Sequence, residues 1–221
     1  MNGHNEELNA QQKRSADPDR LLTFTDGVFA IIITILVLEL EVPDLDSGQS
    51  LRESLEQMRP TFVAFVISFL LVGMYWAWHR ATFAHVRFVN RDVVWLNLLF
   101  LLPVSMIPFA ASVLGEYSKN ATALHLYGTV LITATLLRVG LDYYIRRHPG
   151  LLWDPGNREA RRISTLLAAA PLFVYVVAML VASSLPGLSL VLYFGMPLLY
   201  FAFVALLRAA PKTRAATEDV S

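Results

Sequence analysis

Asp26 is the residue whose type and place most need a chemical explanation. It lies about two turns into a helix that starts near Pro18 and continues through the apolar run to Val42, which can cross a hydrocarbon core of about 30 Å at about 1.5 Å per residue. A lone carboxylate in lipid is costly, so it must pair or take part in moving an ion or proton. At about 100° per residue it falls roughly opposite Ile31, toward the rest of a helical bundle, and so calls for a partner. Arg20, Thr25, Trp76, His79 and Asn97 are the polar groups expected at the same depth. Two readings follow: a packing network that holds the first helix to its neighbours, which is favoured, and direct ion or proton binding.

The opposite face carries a second constellation. Ile31, Thr34, Ile35 and Leu38 follow the spacing i, i+3, i+4, i+7, and Val42 extends the stripe. On one chain this is ordinarily a lipid-facing or packing stripe. Repeated around a symmetry axis, the same Ile and Leu side chains would form a narrow, water-poor neck that gates by dewetting, with Thr34 hydroxyls as the polar coordination at that depth. Glu39 and Glu41, with Asp44 and Asp46 beyond them, would make an outer mouth that concentrates cations. A solvated helix end without a role in conduction is the alternative.

These residues must be positioned by membrane helices. The 221-residue chain is 55% hydrophobic and 16% charged, against about a quarter charged in soluble domains, and its charge is segregated between apolar runs. With no cysteine there is no disulfide framework or thiolate metal site. Six segments have spanning length: Leu21–Val42, Thr61–Phe83, Val93–Leu114, Ala121–Tyr144, Ile163–Leu185 and Leu188–Leu207. Asp17-Pro18 is a good helix start and Pro43 a stop. Leu51, Leu55 and Met58 have the spacing of a short amphipathic surface helix, Pro186-Gly187 marks a tight turn, and Arg138 and Asp142, four apart, can pair.

Lys13, Arg14, Arg20, Arg80, Arg87, Arg91, Arg146, Arg147, Arg158, Arg161, Arg162, Arg208, Lys212 and Arg214 fall on one side of such a bundle and only Arg52, Arg59 and Lys119 on the other, which places both termini in the cytoplasm. Residues 1–16 and 210–221 read as cytoplasmic tails flanking a membrane domain, 17–209. The Phe24-Thr25-Asp26 cluster occurs once. If its helix lines a pore, the other copies come from other subunits.

Arg20-x-x-x-Phe24-Thr25-Asp26 followed by Gly-Val-Phe-Ala-Ile resembles the first helix of the transmembrane-protein-175 family of potassium channels, with Thr25 where the family has Ser. Trp76-x-x-His79 and Asn97-Leu-Leu-Phe-Leu-Leu-Pro103 resemble its second and third helices, and the likeness runs to about Pro108. The resemblance implies a homotetramer whose first helices line the pore. Ile31, Ile35 and Leu38 would form the constriction, Thr34 would be associated with potassium preference, and Phe24, Thr25 and Asp26 would hold the helix to its neighbours.

The expected protein is therefore an all-α integral membrane protein of six helices per chain, a homotetramer in the cell membrane. It would pass K+, with some Na+ leak, without a cofactor. The rival is a proton-coupled secondary cation transporter using Asp26 and His79. His79, His85, His125 and His148 are scattered, so a metal site is not expected. No phosphate loop or nucleophile elbow points to an enzyme, and the basic loops lack the density of a nucleic-acid binder. Without a Thr-Val-Gly-Tyr-Gly filter, ion selectivity should be modest.

Overall fold

The computed structural model describes residues 18–42, 50–154 and 158–209, and only the backbone of residues 158–168 and 203–209. Among them are eight α-helices: α1 Pro18–Leu38, α2 Leu51–Gln57, α3 Arg59–Phe83, α4 Arg91–Ser105, α5 Ile107–Glu116, α6 Ala121–Arg147, α7 Arg158–Val181 and α8 Pro186–Ala209. A 3-10 turn at Pro149–Leu151 follows α6, and the one strand-like feature among the described residues is an isolated bridge between Val86 and Leu152. Four units, α1, α3, α4 with α5, and α6, are long and apolar enough to cross a membrane; α7 and α8 contain the apolar stretches Ala169–Val181 and Pro186–Ala202.

Local chemistry sets most helix starts. Pro18 opens α1 with a pre-set φ and no N–H to lose, and Asp19 in the first turn faces the positive end of the helix dipole. Ser50 and Glu53 form a reciprocal capping box on α2, whose Leu51 and Leu55 are exposed. The Asn90 and Asn120 side chains accept from the first free N–H groups of α4 and α6. Arg146 and Arg147 end α6, where a cation is favoured.

Two expectations about helix bounds are corrected. α1 ends at Leu38, short of Val42, in a turn where Leu40 N–H donates to the Val37 carbonyl at 3.1 Å. Glu39 and Glu41 at the negative end of the helix dipole disfavour a further turn, so Val42 is not in register with the stripe on α1. The third apolar segment is broken at Met106. Pro103 and Pro108 each remove a backbone donor, and Met106 N–H turns to the Pro103 carbonyl at 3.1 Å. The tails, Pro43, Asp44 and Asp46 lie outside the described residues.

The core is continuous through α1, α3, α4, α5, α6, α7 and α8, built on Phe29, Leu71, Tyr75, Phe100, Leu124, Tyr127, Tyr175 and Tyr193, all at most 1% exposed. Three of its tyrosines are satisfied by neighbouring helices: Tyr75 by Thr135 at 2.8 Å, Tyr127 by Ser68 at 2.9 Å, and Tyr193 by the Leu124 carbonyl at 3.2 Å, whereas the buried Tyr175 hydroxyl finds no hydrogen-bond partner among the described residues. α1 packs against α3, α4 and α5 and stands at the edge of this core. In its most apolar stretch 22% of residues are buried, against 50% in α6, so most of α1 is left for other contacts.

Candidate functional site

Leu21, Thr25, Phe29, Ile32 and Leu36 make the buried stripe of α1, with spacings of three and four residues. Thr25, fully buried, is the polar member of that stripe. Asn97 of α4 donates from Nδ2 to Thr25 Oγ1 at 2.8 Å, and its Oδ1 lies 2.8 Å from Nε2 of His79 on α3. With the amide donors turned to Thr25, the amide oxygen is the acceptor and His79 donates from Nε2. The imidazole stacks on Phe83, ring centres 4.3 Å apart, and is flanked by Phe29 and Phe100. Its Nδ1 is buried without a hydrogen-bond partner among the described residues.

Asp26 is not on the bundle-facing side, as the helical wheel suggested. It is exposed at the edge of the α1–α3 contact, where Trp76 Nε1–H donates to Oδ1 at 2.8 Å. Arg80 lies over the Trp76 ring at 5.7 Å. The inward place belongs to Thr25, because adjacent residues on a helix are about 100° apart and both cannot face the core. Thr25, Asp26, Trp76, His79 and Asn97 are thus brought together as two linked contacts. Arg20 and Phe24 are not: both are exposed, and Arg20 makes no hydrogen bond or ion pair among the described residues.

The opposite side of α1 carries Ile31 (59% exposed), Ile35 (39%), Leu38 (75%) and an exposed Thr34. The Thr34 hydroxyl is within hydrogen-bond distance of the Ala30 and Ile31 carbonyls, at 3.1 and 2.9 Å. Its single proton points back to the helix, so its lone pairs are what it can offer a cation. Glu39 is half-buried and Glu41 exposed, both past the end of α1. No group of three or more His, Asp and Glu side chains among the described residues could hold a metal.

Sequence reasoning missed the polar contacts between α3 and α6. Asp142 pairs closely with Arg146 at 2.7 Å and accepts from Thr82 at 3.1 Å, and the buried Arg138 guanidinium lies 4.4 Å over Trp78. Polar residues recurring inside apolar helices were the available signal. Which of them meet depends on how the helices pack.

Membrane-length helices packed around a largely apolar core, with an apolar helix face left open, define a polytopic membrane protein. Residues 20–108, from α1 into α5, match the family model described as endosomal/lysosomal potassium channel TMEM175. A potassium channel of Streptomyces collinus is 36% identical over 140 residues, 62% of this chain and 68% of that protein. The crystal structure of a lysosomal potassium-selective channel TMEM175 homolog from Chamaesiphon minutus superposes with a TM-score of 0.74 at 26% identity, covering 85% of this chain and 97% of that chain. The human endosomal/lysosomal proton channel TMEM175 is 34% identical over 110 residues, 46% of this chain and 22% of that protein. The chain belongs to the TMEM175 family; it is a membrane channel protein and not an enzyme.

Proposed function

We propose that the chain is a modestly selective potassium channel, with some sodium leak, that conducts passively through a hydrophobic neck made by α1 of four identical subunits. Each subunit would span the cell membrane six times, with α7 and α8 as the last two spans and both termini cytoplasmic. Ile31, Ile35 and Leu38 narrow the path, Thr34 supplies oxygen lone pairs inside it, and Glu39 and Glu41 draw cations to the outer mouth. No cofactor is needed; K+ is the permeating ion, and the partners are other copies of the chain and lipid. The observation that carries this reading is the division of α1: one face is fixed to α3 and α4 through Thr25, Asp26 and apolar side chains, and the other is open, apolar and broken by one hydroxyl.

The rival, a proton-coupled cation transporter using Asp26 and His79, takes weight from the proton-channel names of the vertebrate relatives. It is the weaker reading, because Asp26 is held by Trp76 and His79 by Asn97. No direct hydrogen bond passes a proton from one to the other. Ion flux from liposomes holding the purified protein separates the two, under a K+ gradient and then a Na+ gradient, each with and without a proton ionophore. A channel gives K+ flux down its own gradient that exceeds Na+ flux. Flux that appears only with an imposed proton gradient, or no K+ flux, would overturn the channel.

A further inference from the structure

Residues 84–90, between α3 and α4, and residues 148–154, after α6, are two loops pinned to one another. Val86 and Leu152 form the antiparallel bridge, Arg87 N–H donates to the Leu151 carbonyl at 2.7 Å, and Trp153 N–H donates to the His85 carbonyl at 3.0 Å. Val86 and Val89 are buried beneath this pairing with Phe83 and Ile145. The outward side chains form a repeated arrangement. The exposed Arg87 guanidinium lies 4.7 Å from the Phe88 ring centre and 5.1 Å from that of Trp153, which is 68% exposed. In the last turn of α6, the exposed Arg147 lies 5.0 Å from the ring centre of Tyr143, itself exposed.

Neither Arg87 nor Arg147 has a carboxylate within ion-pair distance among the described residues, whereas Arg146, next to Arg147 in the chain, is committed to Asp142. A guanidinium stacked on a ring uses its face and leaves its N–H groups along the edge, a planar fork that matches phosphate oxygens. Loops joining membrane spans lie at headgroup depth, where Trp and Tyr are the favoured side chains and basic clusters meet anionic lipid. A soluble anion would need the charge alone; an exposed aromatic platform beneath it also suits the glycerol and upper acyl region of a lipid.

We propose that Arg87 and Arg147, on the aromatic platform of Phe88, Trp153 and Tyr143, bind the phosphates of anionic lipid headgroups at this end of the bundle. The inference rests on the chain being a membrane protein and is independent of what it conducts. Its test reads stability and bound mass, not flux. The full chain in neutral detergent is unfolded thermally with added phosphatidylglycerol or phosphatidylcholine of the same acyl chains, and native mass spectrometry counts the lipid retained. In the unmodified protein phosphatidylglycerol raises the midpoint several degrees above phosphatidylcholine and is retained.

R87Q/R147Q loses that difference, while R52Q/R59Q, changed in the segment between α1 and α3, keeps it. An equal rise with both lipids, an unchanged phosphatidylglycerol effect in R87Q/R147Q, or the same rise with inorganic phosphate alone would overturn the proposal. If R87Q/R147Q does not fold, the unmodified protein still decides. Molar salt should abolish a headgroup effect, and a phosphatidylglycerol effect untouched by salt would sink it.

Discussion

Asn97 shows how much one side chain can hold at the site. Its amide closes two buried hydrogen bonds, to Thr25 on α1 and His79 on α3, so Asn97→Leu strands a hydroxyl and an imidazole N–H at once. Inter-helix hydrogen bonds in membranes average about 0.6 kcal/mol and reach about 1.7, while an orphaned buried group costs about 1–3 kcal/mol. A loss of about 1–3 kcal/mol is therefore expected, measured by thermal unfolding of the purified protein, with Thr25→Val losing less because it strands only the amide. Ile31 acts through water rather than through stability. Ile31→Asn places an amide where the proposed neck excludes water, so conductance should rise and K+ over Na+ discrimination fall in liposome flux. Unchanged flux would count against the pore assignment.

At the scale of elements, the bundle depends on close approaches that small residues permit. A Cβ on Gly128 would run into the Tyr193 hydroxyl and lie 3.0 Å from its Cζ, so α6 and α8 touch through glycine. Tyr193 is fully buried and its hydroxyl donates to the Leu124 carbonyl. Gly128→Ala should lower stability by about 1–3 kcal/mol, the usual cost of overpacking. Adding Tyr193→Phe should return part of it by removing the atom most directly struck. Thermal unfolding of the single and double variants checks this. No recovery would mean that the helix backbones, not the hydroxyl, set the spacing. The break at Met106 belongs to the same scale: α4 carries Asn97 to the anchor, while α5, after the break, packs chiefly on α3 and α6.

At the scale of the molecule, the open half of α1 has to be explained. Ile31, Ile35 and Leu38 on a lone chain would face lipid like the exposed Phe173 and Leu180 of α7. Around an axis they would face one another. The chain has no cysteine, so Leu38→Cys is a clean probe. Mild oxidation in membranes should give disulfide-linked dimers on a non-reducing gel, while Leu180→Cys, 75% exposed like Leu38, should stay monomeric. Equal cross-linking at both sites, or none at Leu38, would remove the central placement of α1.

By itself the sequence determined the all-helical membrane class, the start of α1 at Pro18, and the stripe of Ile31, Thr34, Ile35 and Leu38 on one helix face. These rest on hydropathy, capping and the helical period, which are local properties of the chain. The motif of Phe24, Thr25 and Asp26 also carried the family. Tertiary structure decided what local rules leave degenerate. Thr25 and Asp26 are adjacent and both polar, and only the approach of Asn97 and Trp76 assigns one inward and the other to the edge. Leu40 and Val42 keep the helical period going past Leu38, and apolarity runs through Met106, so period and hydropathy alone did not mark where α1 stops or the third segment breaks; dipole, proline and packing terms did. The bridge between Val86 and Leu152 joins residues far apart in sequence. Such pairings follow from which helix ends the bundle brings side by side, a geometry that no stretch of sequence encodes alone.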